Sequence, residues 1–401
     1  MIFRTMRSVA TTYIVWTCLR AVFHRGWWLA ASLYLVLEAG LSPVQLVLLG
    51  TAQGLTVLAF EIPAGLVADN YSRKWSIVVS HVLMGSGMLV TGLVTSFPAL
   101  VIAQMLWGLA WTFSSGADVA WLSDELDQPD DTGRLLGRAA GWGQVGAAAG
   151  IILFGALAWL TSLSTAIVTA GAMMLGLGLY VVFGFTEHRF SRSDIVGAGT
   201  LSTTLRHGLK AVRSDTSIII VLAVTFLVNG ADEVFSRLLP KGLLDLGLPQ
   251  AQDPVLWLTA LGLVTLGVGA VALRLVENGL ADEPSLRRLY LAGGLLGVGG
   301  LLLFAAAPDN WSAMAGAILV HGIAWNILRV VGVVWINGRS ASRERATLQS
   351  FLSQAENLGE VVLGLALGLV AEFAGIPLAI AGAALLVAIA VKLMTGLRPD
   401  V

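Results

Sequence analysis

Along this chain apolar positions do not alternate with polar ones; they accumulate into long runs separated by short polar breaks. A helix rises 1.5 Å per residue, so about 20 apolar residues carry it across a hydrocarbon core about 30 Å thick. Runs of that length predict twelve membrane-spanning helices, at residues 11–37, 45–68, 75–95, 99–122, 135–160, 164–185, 217–239, 255–276, 286–307, 311–336, 346–371 and 375–395. The one long polar interval, 186–216, divides them six and six. The predicted organisation is an N-terminal bundle at 1–185, a linker at 186–216 and a C-terminal bundle at 217–401.

Composition strengthens this picture. Of 401 residues, 56% are hydrophobic and 12% charged, and the mean hydropathy is +0.81, well beyond a soluble domain. The fold class is therefore an all-α integral membrane protein, with almost no length left over for a soluble domain. Basic residues give the orientation, since short cytoplasmic loops carry the excess of Lys and Arg. With the N-terminus inside, Arg73, Lys74, Arg134, Arg138, Arg287, Arg288, Arg343 and Arg345 all fall in inner loops, and both termini are expected in the cytoplasm. A cleaved signal peptide is a poor reading of the first span, because Arg20, His24 and Arg25 interrupt it. A net charge of −1 gives no reason to expect nucleic acid as a partner; the lipid bilayer is the expected one. The lone Cys18 allows no internal disulfide.

The charges concentrate in the loop between the second and third spans, "GLVADNYSRKW". Gly65, Asp69, Arg73 and Lys74 there match the loop signature of the major facilitator superfamily, which the six-plus-six layout also resembles. Asn70 and Ser72 depart from it, standing where a base and a glycine are usual. Residues 33–126 are more specifically similar to the bacterial drug-efflux branch of tetracycline or macrolide resistance type. The resemblance implies two pseudo-symmetric six-helix bundles and alternating access. It also implies that the loop acid braces one conformation against the start of the eleventh span, at Ala346 or Thr347. Gln104 stands where many proton-coupled members carry an arginine, which leaves that route of coupling unsupported. Gly146 and Gly150, and Gly364 and Gly368, have the spacing that lets helices approach closely. The fifth span carries the glycines of an antiporter motif but not its proline.

Glu61, Gly65 and Asp69 recur every four residues on one helical face, and Asp118 comes out near the same membrane surface. They are expected, with Arg73 and Lys74, to form a cytoplasmic latch; the plainer reading of the bases is topology alone.

Charge inside hydrocarbon is costly, so it marks pairing or function. In "NGADEVFSR", Asp232 and Glu233 are adjacent, and Glu233 and Arg237 have ion-pair spacing. Neighbouring carboxylates in a low dielectric repel, and a bound proton relieves the repulsion, which is what a proton carrier needs. A plain salt bridge closing the outer side is the competing reading. Glu356 and His321 reach mid-membrane depth, and His24 and Arg25 fall in the middle of the first span. These are the remaining candidates for proton coupling or substrate binding.

No nucleophile motif appears, no metal-ligand spacing links the five histidines, and no nucleotide-binding motif exists. No enzymatic activity, metal or cofactor is expected. The expected function is a monomeric, proton-coupled efflux carrier of hydrophobic or amphiphilic small molecules in a bacterial cell membrane, with a proton-coupled importer as the alternative.

Overall fold

A computed structural model describes residues 2–126, 129–190, 216–247, 253–280, 283–339 and 345–396. Most of the 186–216 linker lies outside the described residues, as do the side chains of Ala346 and Thr347.

The described chain is all helical. Its first part comprises α1 (Ile2–Leu37), α2 (Pro43–Asn70), α3 (Arg73–Leu93), α4 (Phe97–Ser114), α5 (Ala117–Glu125), α6 (Pro129–Leu160) and α7 (Leu163–Gly184). Its second part comprises α8 (Thr216–Asp245), α9 (Pro254–Val276), α10 (Glu283–Ala305), α11 (Asn310–Ala317), α12 (Trp325–Arg339), α13 (Arg345–Ala374) and α14 (Ile376–Thr395). A π-helical stretch, Ile318–Ala324, joins α11 to α12 without a break. Among the described residues eleven helical stretches are long and apolar enough to cross a membrane, and α1, 36 residues long, is a further long helix that carries Arg20, His24 and Arg25.

Two features depart from the run-length pattern. The fourth predicted span, 99–122, is not one continuous helix: α4 ends at Ser114, and Gly116, at φ +79°, begins α5. Only glycine takes that left-handed conformation at low cost, so a single residue re-aims the chain inside an otherwise apolar run. The other departure is the π turn, which period-3.6 reasoning cannot anticipate.

The chain resolves into two compact units. Unit 1 contains residues 1–41, 55–195 and 253–262; unit 2 contains 42–54, 196–252 and 263–401. In unit 1, α1 lies along α6 and α7, while α3 lies along α7 and α4. Small residues permit this closeness. A Cβ added at Gly146 or Gly150 falls onto the backbone carbonyls of Cys18 or Val22. In unit 2, α8 lies along α13 and α14, and a Cβ at Gly230 stands 2.8 Å from the Gly359 carbonyl oxygen. Tyr290, Ile327, Leu328, Val331, Trp335 and Met394 form an apolar core around the start of α8.

Candidate functional site

Charge within unit 2 gathers where α8 faces α13 and the start of α2. Arg237 is 8% exposed. Its Nε donates to Glu233 Oε1 at 2.9 Å, one turn back on α8, and its second terminal nitrogen donates to Gln53 Oε1 on α2 at 3.0 Å. Gly50 makes room: a Cβ there would collide with the Glu233 carboxylate and come within 2.9 Å of Arg237 Nε. Glu360, on α13, is partly buried and within electrostatic reach of Glu233, Asp232, Arg237 and Glu356, in that order of strength. Glu356 lies one turn before it on the same helix, and Gly364 one turn after it packs against the Glu233 side chain. Three carboxylates and one guanidinium thus act on Glu360.

Asp232 points to a different set of partners. Its Oδ1 accepts from Ser236 Oγ at 3.0 Å and from the Trp325 indole N–H, and lies 3.3 Å from His321 Nε2. His321 Nε2 is also 3.1 Å from Ser236 Oγ. The π turn carries His321 into this contact. Asn326 donates to the carbonyls of His321 and Gly322 at 2.8 and 3.0 Å, satisfying backbone groups inside the widened turn. His321 therefore meets Asp232 of α8.

The start of α2 is held along its length within the same unit. Glu372 on α13 accepts from the Val44 N–H at 3.1 Å, where the exposed donors of a helix N-terminus favour an anion. Val47 packs against Gly364 and Gly368, and Gly54 against Val361. The paired glycines of α13 are a bed for α2.

In unit 1 the latch residues separate into two groups. Arg73 at the start of α3 pairs with Asp124 of α5, donates to the Ala120 carbonyl at 2.9 Å and stands 3.9 Å from Asp69. Asp118 does not join them. It opens α5 and pairs with Arg20 of α1 at 3.8 Å, because the bend at Gly116 turns it toward α1. Arg20 also donates to Ser114 Oγ at 3.1 Å, with its guanidinium 5.2 Å from the Trp16 ring and 5.7 Å from the Trp111 ring. Gly65 has open space at its Cβ position, and Glu61 lies partly buried on the same stretch of α2. His24 stacks on Trp107 at 5.4 Å, and Arg25 is exposed.

The two departures from the loop signature are both used. Asn70 donates to the Leu66 carbonyl at 2.8 Å, closing the last turn of α2. Ser72 is the N-cap of α3: its Oγ accepts from the Trp75 N–H at 3.0 Å and donates to Glu187. Glu187 also accepts from the Lys74 backbone N–H at 3.0 Å, so Lys74 contributes its main chain here. Glu125 holds the same segment through the N–H groups of His188 and Arg189, at 2.7 and 3.0 Å.

Among the described residues no group of three or more His, Cys, Asp or Glu side chains has metal-binding geometry. Buried charges on membrane-spanning helices, paired across helices, suit translocation. Residues 17–284, well over half the chain, match the Major Facilitator Superfamily. The chain belongs to this superfamily. It is a multi-pass membrane transporter, and the family carries small-molecule substrates. A curated relative, the inner membrane transport protein YajR of Escherichia coli (strain K12), is 25% identical over 326 residues, covering 79% of this chain and 66% of that protein. Two solved structures share the fold. The nucleoside transporter NupG matches with a TM-score of 0.77 at 14% identity, over 97% of this chain and 100% of that one. A bacterial homologue of the human lysosomal transporter Spinster, in an inward-facing and unoccupied conformation, matches with a TM-score of 0.73 at 13% identity, over 97% and 96%. The loop that carries the superfamily signature is the one Ser72, Glu187 and Arg73 tie down. Glu360, Gln53, Asp124 and Glu187 are the site members that motif reading passed over. For Glu360 a signal existed, its four-residue spacing from Glu356 and Gly364.

Proposed function

We propose that this superfamily member is a proton-coupled efflux carrier of the bacterial inner membrane. It moves hydrophobic or amphiphilic small molecules by alternating access of two six-helix bundles, 1–185 and 217–401, joined by the linker 186–216, with both termini cytoplasmic. The observation that carries this reading is a local excess of acid over base on α8 and α13: Glu233 pairs with Arg237, and Asp232, Glu233 and Glu356 all lie within electrostatic reach of Glu360, with His321 beside Asp232.

Such a cluster gains from binding protons, because each one neutralises a charge that its neighbours repel. Arg237 makes proton occupancy mechanical. It holds Glu233 with one nitrogen and Gln53 of α2 with another, so a proton on Glu233 weakens the pair that positions the guanidinium against α2. The same stretch of α2 is seated by Glu372 and by Gly364 and Gly368. Proton binding and the seating of α2 therefore use shared residues, which is the coupling an antiporter requires. At the cytoplasmic side, Arg73 with Asp69 and Asp124 serves as the latch of the alternate state.

Proteoliposomes with the cytoplasmic face outward test this. An acid lumen is expected to drive a lipophilic dye inward as protons leave, and Glu233→Gln or Glu360→Gln is expected to abolish the gradient dependence while dye-for-dye exchange persists. Dye that moves with the protons would establish the importer instead; dye indifferent to the gradient would remove proton coupling altogether.

A further inference from the structure

We propose that unit 1 holds the substrate site of the carrier, on the facing sides of α1 and α4, and that its ligand class is a neutral, planar conjugated heterocycle with hydrogen-bond acceptors and a donor along one edge. This rests on the transporter reading and specifies what is carried.

The two helices run antiparallel and their backbones scarcely approach each other; they meet through rings. On α1, Trp16, Arg20, His24 and Trp27 recur every three or four residues, which places them on one face. On α4, Trp111, Trp107 and Gln104 do the same. Trp107 lies 5.9 Å from Trp111 at 9° between planes, 6.2 Å from Trp27 at 15°, and 5.4 Å from His24 at 30°. These near-parallel rings form a stack into which a further flat ring fits best. Trp111, 42% exposed, is its accessible member.

The polar groups specify the ligand further. At one end of the stack the charges are matched: Arg20 faces Asp118 and Ser114 and lies between two indole rings. A ligand anion would compete with Asp118, and a ligand cation would be repelled by Arg20. Farther along, the Trp27 and Trp107 indole N–H groups, the His24 Nε2 and the Gln104 Oε1 are buried with no hydrogen-bond partner. Trp27 is 1% exposed and Gln104 2%. Each buried orphan costs about 1–3 kcal/mol, so four along one face are a strong demand for a polar ligand edge. Two other indoles of unit 1 are satisfied: Trp16 donates to His81 Nε2 at 3.1 Å, and Trp121 to the Thr186 carbonyl at 2.7 Å. Two indole donors require two acceptors, and the glutamine carbonyl requires a donor. An imide or ureide edge on a fused ring supplies all three without charge.

Lumichrome, a neutral fluorescent tricycle with such an edge, is the probe. Binding to the full chain in lipid nanodiscs is read by fluorescence polarisation with no ion gradient, so the result does not depend on proton coupling. Wild type is expected to bind it, and Trp107→Phe, Trp27→Phe and Gln104→Leu are each expected to weaken binding about three- to tenfold, the loss of one hydrogen bond. Gln104→Leu removes an unsatisfied polar group and keeps the bulk, so this variant should melt no lower than wild type without ligand; the two Trp→Phe variants trade an unsatisfied donor for a smaller ring and are compared once shown to be folded. Ethidium, a planar cation, and 1-naphthalenesulfonate, a planar anion, should not displace the probe. The proposal is overturned if lumichrome does not bind wild type, if the folded variants bind it equally well, or if either charged dye displaces it. Gradient-driven dye exchange that survives such a result would leave the carrier reading intact.

Discussion

Replacing Arg237 with leucine removes the only arginine or lysine within reach of the Glu360 carboxylate among its resolved charged neighbours, and with it the bond to Gln53. The side chains of Arg237 and Glu233 are 6% and 12% exposed, so the 2.9 Å pair is shielded from water. Breaking a buried pair by deleting one partner costs about 3–5 kcal/mol, most of it the uncompensated charge left behind. Removing Glu233 as well takes away the charge bonded directly to the guanidinium, and buried pairs replaced by uncharged groups often cost little. Arg237→Leu is therefore expected to lose about 3–5 kcal/mol of stability, but the double variant Arg237→Leu with Glu233→Gln only about 1–2 kcal/mol, for the lost Gln53 bond and packing. The double variant is then about 2–3 kcal/mol more stable than Arg237→Leu alone, a reversal that only coupled residues show; with the Glu233→Gln single variant it completes a double-mutant cycle of denaturant unfolding in mixed micelles. Additive losses, with coupling below about 0.5 kcal/mol, would show that the pair is not insulated and that the link from Glu233 to α2 carries no force.

Other outcomes follow from the same geometry. Arg73→Leu leaves Asp124 without its partner and frees the Ala120 carbonyl, so transport turnover should fall several-fold while lumichrome affinity stays as in wild type. Gly150→Leu drives a side chain onto the Val22 carbonyl of α1 and should cost at least about 1–3 kcal/mol, seen as a lower melting temperature, whereas Gly137→Leu, with open space at its Cβ, should be tolerated. The Asp309 carboxyl, exposed at the start of α11, is held below the usual carboxylate range by the N–H and hydroxyl of Ser312. A depressed folded-state value means its contribution is present above the unfolded value and is lost as pH falls through the folded one. Asp309→Asn should accordingly flatten the acid limb of the stability profile below about pH 4.

Run length made the membrane-spanning helices readable, because hydrocarbon thickness sets how many apolar residues a crossing needs. It could not show where a helix changes direction, since Gly116 is one glycine among 46 and its backbone angle depends on the neighbours it meets. Local spacing identified Glu233 with Arg237, one helical turn apart, while Asp69 and Arg73 were grouped by the loop signature and stand 3.9 Å apart. Partners on other helices were hidden. Depth alone grouped Asp118 with Asp69, but Arg20, ninety-odd residues earlier, takes it in the fold. Glu187 lies in what reads as the first residues of a linker, and only the folded chain shows it against the start of α3.

The π turn at Ile318–Ala324 has a consequence for comparing sequences. A π turn holds about one residue more than an α turn, so every position after Ala324 is rotated about 100° from where uniform helical counting puts it. Any attempt to superimpose this span on a regular helix, whether from a relative or from the other half of the same chain, needs a one-residue gap there. Aligned without it, Trp325 and Asn326 fall on the wrong faces, and a search for the partner of Asp232 finds a lipid-facing position instead.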